Sequence, residues 1–343
     1  MRKLKNTVYI TSPEAYLSLD GENMVVLLED KVTARVPLHN IEGIVTIGYR
    51  GASPALMGKC AADGIDLCFL SGSGRFLARI EGDPQGNVLL RREQFRLADD
   101  AQKRLDHAKS FIIGKLYNSR SVLARSARDY PLRLDTQKLK GISAELSAAI
   151  EKARACTAMD HLRGIEGEAA TRYFSVFDDL ILQQKDDFHF AIRSKRPPLD
   201  KVNAMLSFAY ALLAEMCAAA LSSVGLDPYV GFMHTDRPGR KSLALDLMEE
   251  LRSIYADRFV LSLINKRMVS AQGFRQVENG AVRMDDDTRR LFLAEWQKRK
   301  TEVITHPFLK EKVEWGVVPY SQALLLARTI RGDLDAYPPL LWK

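Results

Sequence analysis

The 343-residue chain is 46% hydrophobic and 27% charged, the composition of an ordinary soluble globular protein long enough for two domains with a core in each. A formal charge of +7 and a pI near 9.1 favour an acidic partner, with nucleic acid the usual one. Four scattered cysteines (Cys60, Cys68, Cys156, Cys217) form no CxxC pair, which excludes a cysteine zinc site and a disulfide framework and fits a reducing cytoplasm.

The N-terminal MRKLKNTVYITSPEAY starts basic but lacks the apolar run and cleavage site of a signal peptide. Residues 7–95 read as strands: TVYIT, YLSL, MVVLL, ARVPL, GIVTIG, IDLCFL and FLARI are rich in β-branched and aromatic residues. Turn signals separate several of them, at 20–23, 29–31 and 71–74. SPALMGKCAADG reads as a short helix crossing between two strands. Gly72 and Gly74 precede a strand, not a helix, so they predict a hairpin turn and no phosphate loop.

Beyond about Arg91 the periodicity becomes helical, and the positive charge is concentrated there. Residues 1–100 carry 12 basic and 13 acidic side chains, residues 101–343 carry 38 and 30. Lys115, Arg120, Arg125, Arg128 and Arg133 recur at near-five-residue intervals, either as a solvated helix face or as a strip that tracks a DNA backbone. A helix over 142–160 leads into HLRGIEGEAATRYFSVFDDL. There Glu166, Ala169, Ala170, Tyr173 and Phe177 share one helical face. Gly164 and Gly167 flank the acid, and glycine inside a helix predicts close backbone approach. A carboxylate in a small, apolar stripe needs a partner, and a metal is one.

FHFAIRSKRPPLD, residues 188–200, reads as a basic, proline-stopped linker, with Arg193, Lys195 and Arg196 either a phosphate clamp or an exposed loop. Val202–Val224 is long and apolar, but its Asn, Ser and Glu residues favour a buried core helix over a membrane span. Then comes GFMHTDRPGRKSLALDLMEELR, residues 231–252, the stretch around which the chain is organised. His234 sits on a Gly/Pro-bounded turn with Arg237, Arg240 and Lys241. Ser242 is a candidate N-cap, and Asp246, Glu249 and Glu250 sit at i, i+3 and i+4 on one helical surface. A neutral imidazole with a carboxylate pair suits a divalent cation such as Mn²⁺ or Mg²⁺, and the basic residues suit phosphates. Residues 270–287 read as a loop or small hairpin, with Asp287 capping a basic amphipathic helix. A last helix, SQALLLARTIRGDLD, ends before YPPLLWK. The other histidines (His39, His107, His161, His189, His306) read as structural.

Four segments together carry a family resemblance: Gly164–Ala170 (GIEGEAA), Asp200–Leu206 (DKVNAML), Gly231–His234 (GFMH) and Ser242–Arg252 (SLALDLMEELR). They resemble the integrase and endonuclease subunit universal to CRISPR adaptation systems, closest to subtype I-C, over nearly the whole chain. The resemblance implies an α+β protein: a small β-rich dimerisation domain over 1–95 and a larger, all-helical domain over 96–343 that holds a single metal. It implies Glu166, His234 and Glu249 as ligands of Mn²⁺ or Mg²⁺, with Asp246 a supporting catalytic acid. Some relatives have Asp where this chain has Glu249, which leaves open whether Asp246 or Glu249 touches the metal. Arg193, Lys195, Arg196, Arg237, Arg240 and Lys241 are candidate DNA contacts.

The implied activity is metal-dependent cleavage and strand transfer, joining 3′-hydroxyl ends of short foreign duplexes into the repeat array and acting on branched DNA. The implied partners are double-stranded and branched DNA, a second copy of the chain, and a small ferredoxin-like subunit bridging two dimers, in the cytoplasm and without a membrane. A neutral His234 is required for ligation, so activity is expected to fall in acid. Two readings compete: a non-catalytic, basic DNA-binding scaffold whose acids pair with arginines, and an RNA-processing nuclease. Convergence of Glu166, His234 and Glu249 on one point separates catalysis from the scaffold.

Overall fold

A computed structural model describes residues 6–70, 76–80, 82 and 88–342. The predicted turn at 71–74 and the basic start of the chain at 1–5 lie outside the described residues. The architecture is mixed α+β, with strands gathered near the N-terminus and helices after them. Contacts divide the chain into two compact units, Met1–Gln85 with Arg289–Glu302, and Gly86–Thr288 with Val303–Lys343. The boundary expected at 95/96 therefore falls earlier, and a later helical segment joins the first unit. The shift is explained by the helix Val88–Asp99 (α2 below), whose Gln94 is fully buried within the second unit and donates to the carbonyls of Asp227 and Val230.

All seven strands expected in the first unit form. β1 (Asn6–Ile10), β5 (Ile41–Ile47), β6 (Asp66–Leu70) and β7 (Phe76–Ile80) make one sheet in the order β1-β5-β6-β7, the first three parallel and β7 antiparallel. β2 (Tyr16–Asp20), β3 (Asn23–Leu28) and β4 (Lys31–Pro37) make an antiparallel meander. Helix α1 (Pro54–Asp63) is the crossover that the parallel β5–β6 pair requires. Ser53 caps it by accepting from the Leu56 N–H at 3.2 Å, Pro54 opens it, and left-handed Gly64 closes it. Leu17, Met24, Ile44, Leu56, Cys60 and Leu67 fill the core between these elements.

The second unit is built on α2 (Val88–Asp99), α3 (Ala101–Asp129), α4 (Thr136–Ala155), α5 (Met159–Phe174) and α6 (Lys201–Ser223). α7 (Ser242–Glu249) follows, then a π-helical turn over Arg252–Asp257 and α8 (Arg258–Asn265). α3 packs against α4, α5 and α7; α6 packs against α7 and against α10 (Val318–Ile330). α6 is long and apolar enough to cross a membrane, but 67% of its most apolar window is buried inside the fold, as expected of a core helix. Asp200 caps it by accepting from the Asn203 N–H.

Several local expectations are corrected. The second unit is not all-helical: β8 (Phe274–Gln276) pairs with β9 (Val282–Met284), and β10 (Val303–Thr305) with β11 (Lys312–Glu314). Three-residue strands are too short to show an alternating pattern. Helix α9 (Asp286–Thr301) is capped by Asp285, which accepts from the Thr288 N–H at 2.8 Å, because the helix begins before Asp287. Ser242 lies inside α7 and turns its hydroxyl to the Thr235 carbonyl, so it is not the cap. Gly164 and Gly167 meet no close backbone. Both are exposed, and a Cβ at either would find nothing within 4 Å, so the close approach expected of them is absent.

Candidate metal centre

Glu166 lies on α5 and Glu249 at the end of α7, and α3 packs against both helices. The link between them is Lys115 of α3. Its ammonium pairs with Oε1 of Glu166 and lies 2.7 Å from Oε2 of Glu249. Arg252, one turn beyond Glu249, holds the other oxygen at 2.8 Å and lies over the Tyr210 ring. Burial opposes ionisation of Glu249, but the Arg252 and Lys115 charges outweigh it and keep that carboxyl well below the usual carboxylate range. Its Oε2 is buried with no hydrogen-bond donor aligned on it.

Asp246 has a different task. Fully buried, it accepts from the backbone N–H groups of Phe232 (2.7 Å) and Met233 (3.0 Å) on Oδ2 and of His234 (3.0 Å) on Oδ1. Its Oδ1 also stands 2.6 Å from Nδ1 of His234. A carboxylate only accepts, so the proton on the ring lies on Nδ1 and the Nε2 lone pair is left free. His234 is near enough to Glu249 that its ring, when protonated, favours the charged form of that carboxyl. The loop can fold back this tightly because residue 231 is glycine: a Cβ there would stand 2.7 Å from Cβ of Ser242. Arg104 donates to the Phe232 carbonyl at 2.7 Å, Arg163 to that of Met233 at 3.0 Å, and His107 stacks on the Phe232 ring.

Glu250 does not share the site face. The i, i+4 relation to Asp246 predicts one surface, but helical geometry breaks after Glu249 and Glu250 faces the C-terminal segment. There it accepts from Tyr337 (2.5 Å), Gln322 (2.9 Å) and the Leu340 N–H (2.8 Å). Tyr173, expected either near the metal or in the core, is core: its hydroxyl donates to the buried Asp257 at 3.1 Å.

The second unit thus holds two carboxylates from different helices on one ammonium, beside an imidazole fixed by a buried aspartate. A family model for "CRISPR associated protein Cas1" matches residues 8–298. The chain belongs to the Cas1 family. It is 47% identical to the CRISPR-associated endonuclease Cas1 1 of Chlorobaculum tepidum over 343 residues and 49% identical to the Cas1 2 endonuclease of Rhodospirillum rubrum, covering all of both chains in each case. Its fold matches a casposase bound to integration product with a TM-score of 0.84, at 23% identity, over 99% of this chain and 95% of that one. This Cas1-family chain is accordingly a nuclease, grouped with the CRISPR-associated endonucleases.

A Cas1 nuclease calls for a divalent cation, and the donor set fits one: two carboxylates from different helices and an imidazole whose Nδ1 is already taken by Asp246. The described residues nevertheless present no ready-made cage of three His, Cys, Asp or Glu side chains. Lys115 stands between the two acids instead. The sequence noted Lys115 only as one member of a cationic strip, although its spacing to Asn118 puts both on one side of α3. That strip does not run as a free row. Arg120 reaches Ser147 and lies over Tyr117, Arg125 and Arg128 reach Asp129, and Arg133 donates to the Leu182 carbonyl.

The DNA candidates divide as well. Arg193 is tied to Asn203 and Ser207, Arg240 braces Thr235, and Lys241 pairs with Glu215 at 2.7 Å. Those three shape the loops. Lys195, Arg196 and Arg237 are exposed.

Proposed function

We propose that this chain is the metal-dependent integrase of a subtype I-C adaptation system, binding one Mn²⁺ or Mg²⁺ through Glu166, His234 and Glu249. The observation that carries the reading is the meeting of Glu166 and Glu249, 83 positions apart, on a single ammonium. The carboxylate oxygen of Glu249 that Arg252 does not hold, the Glu166 carboxylate and Nε2 of His234 form the ligand set. Asp246 acts through His234, fixing the ring's tautomer and aim. This assigns Glu249, and not Asp246, to the metal, since both oxygens of Asp246 are already used by the loop.

A bound divalent cation supplies charge neutralisation at the scissile phosphate and polarises it for in-line attack. The protein's own contribution is to bind and orient. Lys195, Arg196 and Arg237 grip flanking phosphates. The nucleophile is a DNA 3′-hydroxyl, so two such attacks insert a short duplex into the repeat array; the reverse reaction resolves branched DNA. Handling two ends requires two copies, with the first unit as the dimerisation domain. A small ferredoxin-like subunit bridges two dimers, and the setting is cytoplasmic, in keeping with four free buried cysteines.

The test is strand transfer of a labelled 3′-hydroxyl duplex into supercoiled DNA, with Mn²⁺ or EDTA, with and without the small subunit. Joined product that needs metal and is lost in Glu166→Ala and His234→Ala, while DNA binding persists, is expected. Binding without joining or cleavage under every condition would return the scaffold reading, and preference for RNA over branched DNA the RNA-nuclease reading.

A further inference from the structure

Lys115 is the feature the proposed ligand set does not use. Its side chain is 12% exposed, and it contacts both carboxylates at once. The positive charges of Lys115 and Arg252 offset the negative charges of Glu166 and Glu249 while no metal is present. A divalent cation between the same carboxylates would stand beside a lysine ammonium. Like charges a few ångströms apart in a partly buried site repel strongly, and the ammonium already takes one oxygen of each carboxylate. We propose that Lys115 is a built-in counter-cation: it holds Glu166 and Glu249 when no metal is present and must leave them for a divalent cation to bind.

This rests on the metal reading above and adds its regulation. Metal affinity is then set by competition. Loading adds two positive charges to the centre, with the lysine released beside them. The anion that restores balance is a DNA phosphate, so metal and DNA favour each other's binding, as reciprocal linkage requires. Lys115 acts here as a positioning residue for the carboxylates, and its release couples the two ligands.

The experiment is Mn²⁺ binding read from the electron paramagnetic resonance of free Mn²⁺, with parallel thermal melts, and no activity assay. Lys115→Met keeps the length and removes the charge; Lys115→Arg keeps the charge; Glu166→Gln removes a ligand. The expected result is Mn²⁺ binding about tenfold tighter in Lys115→Met, equivalent to about 1.4 kcal/mol. Lys115→Arg stays near wild type, and Glu166→Gln weakens binding in every background. Metal-free Lys115→Met should melt below wild type, with a larger upward shift on adding Mn²⁺; if it is unfolded without metal, Mn²⁺ should refold it. Equal or weaker Mn²⁺ binding in Lys115→Met, with wild type binding normally, would overturn the counter-cation role and leave the metal reading standing. Failure of wild type and Lys115→Met alike to bind Mn²⁺ overturns both.

Discussion

Asp246→Asn is the most informative single change. The two oxygens of Asp246 face four groups: the N–H of Phe232 and of Met233 on one, the N–H and Nδ1 of His234 on the other. An amide has one oxygen. If that oxygen keeps Phe232 and Met233, the NH₂ points at His234, whose ring can accept only by moving its proton to Nε2, the nitrogen a metal needs. If the amide flips, two backbone donors face NH₂. Either way at least one buried donor loses its partner, at about 1–3 kcal/mol each, so urea unfolding should report a loss of about 2–4 kcal/mol. Changing the partner that orients a ligating histidine typically weakens metal binding about 10–100-fold, read by Mn²⁺ titration of the folded variant. Wild-type Mn²⁺ affinity with unchanged stability in Asp246→Asn would refute this role for Asp246.

Removing the Glu250 carboxylate strips acceptors from Tyr337, Gln322 and the Leu340 N–H. Glu250→Ala is therefore expected to cost about 3–5 kcal/mol and to expose the last residues to carboxypeptidase, whereas unchanged digestion would show the tail is held by other contacts. His306 gives a pH signature. Its Nδ1 accepts from the Leu309 N–H and its Nε2 bonds Gln322; burial lowers its pKa below the ordinary 6.5, against the opposing pull of Gln322 and Glu311. Below about pH 6.5 the unfolded chain takes up a proton the folded chain refuses, so this contribution to stability is present above that pH and lost on acidification. Wild type should lose more stability than His306→Gln between pH 7.5 and 5; equal losses would remove His306 from the account. Finally, Arg196→Ala and Arg237→Ala should each lower the salt dependence of DNA binding by about one counterion. Arg240→Ala and Lys241→Ala should act on stability instead, and the reverse pattern would exchange their roles.

The N-terminal part of the first unit was legible because its strands are short, apolar and punctuated, and helix α1 carries Ser, Pro and Gly at the positions where helices start and stop. Their arrangement into a partly parallel sheet and a meander was not, since pairing is settled by contacts between strands. At the centre, residue types and spacing pointed to Glu166, His234, Asp246 and Glu249. The division of labour among the acids was hidden, because i, i+3, i+4 spacing assumes an unbroken helix and the helix changes to a π turn beyond Glu249. Glu250 consequently turns away. Lys115 was hidden for another reason: it lies 51 positions from Glu166 and 134 from Glu249, and only the packing of α3 against α5 and α7 brings it to them. Arg193 and Lys241 find their partners on α6, and Arg240 finds Thr235 in its own loop, so all three look as free as Arg237 until the chain is folded.

Anomalous diffraction from Mn²⁺-soaked crystals tests the central claim most directly. One peak is expected within coordination distance of the carboxylates of Glu166 and Glu249 and of Nε2 of His234, with Asp246 still on Nδ1 and the Lys115 ammonium withdrawn. No peak there, with Lys115 still bridging the two acids at saturating Mn²⁺, would contradict it.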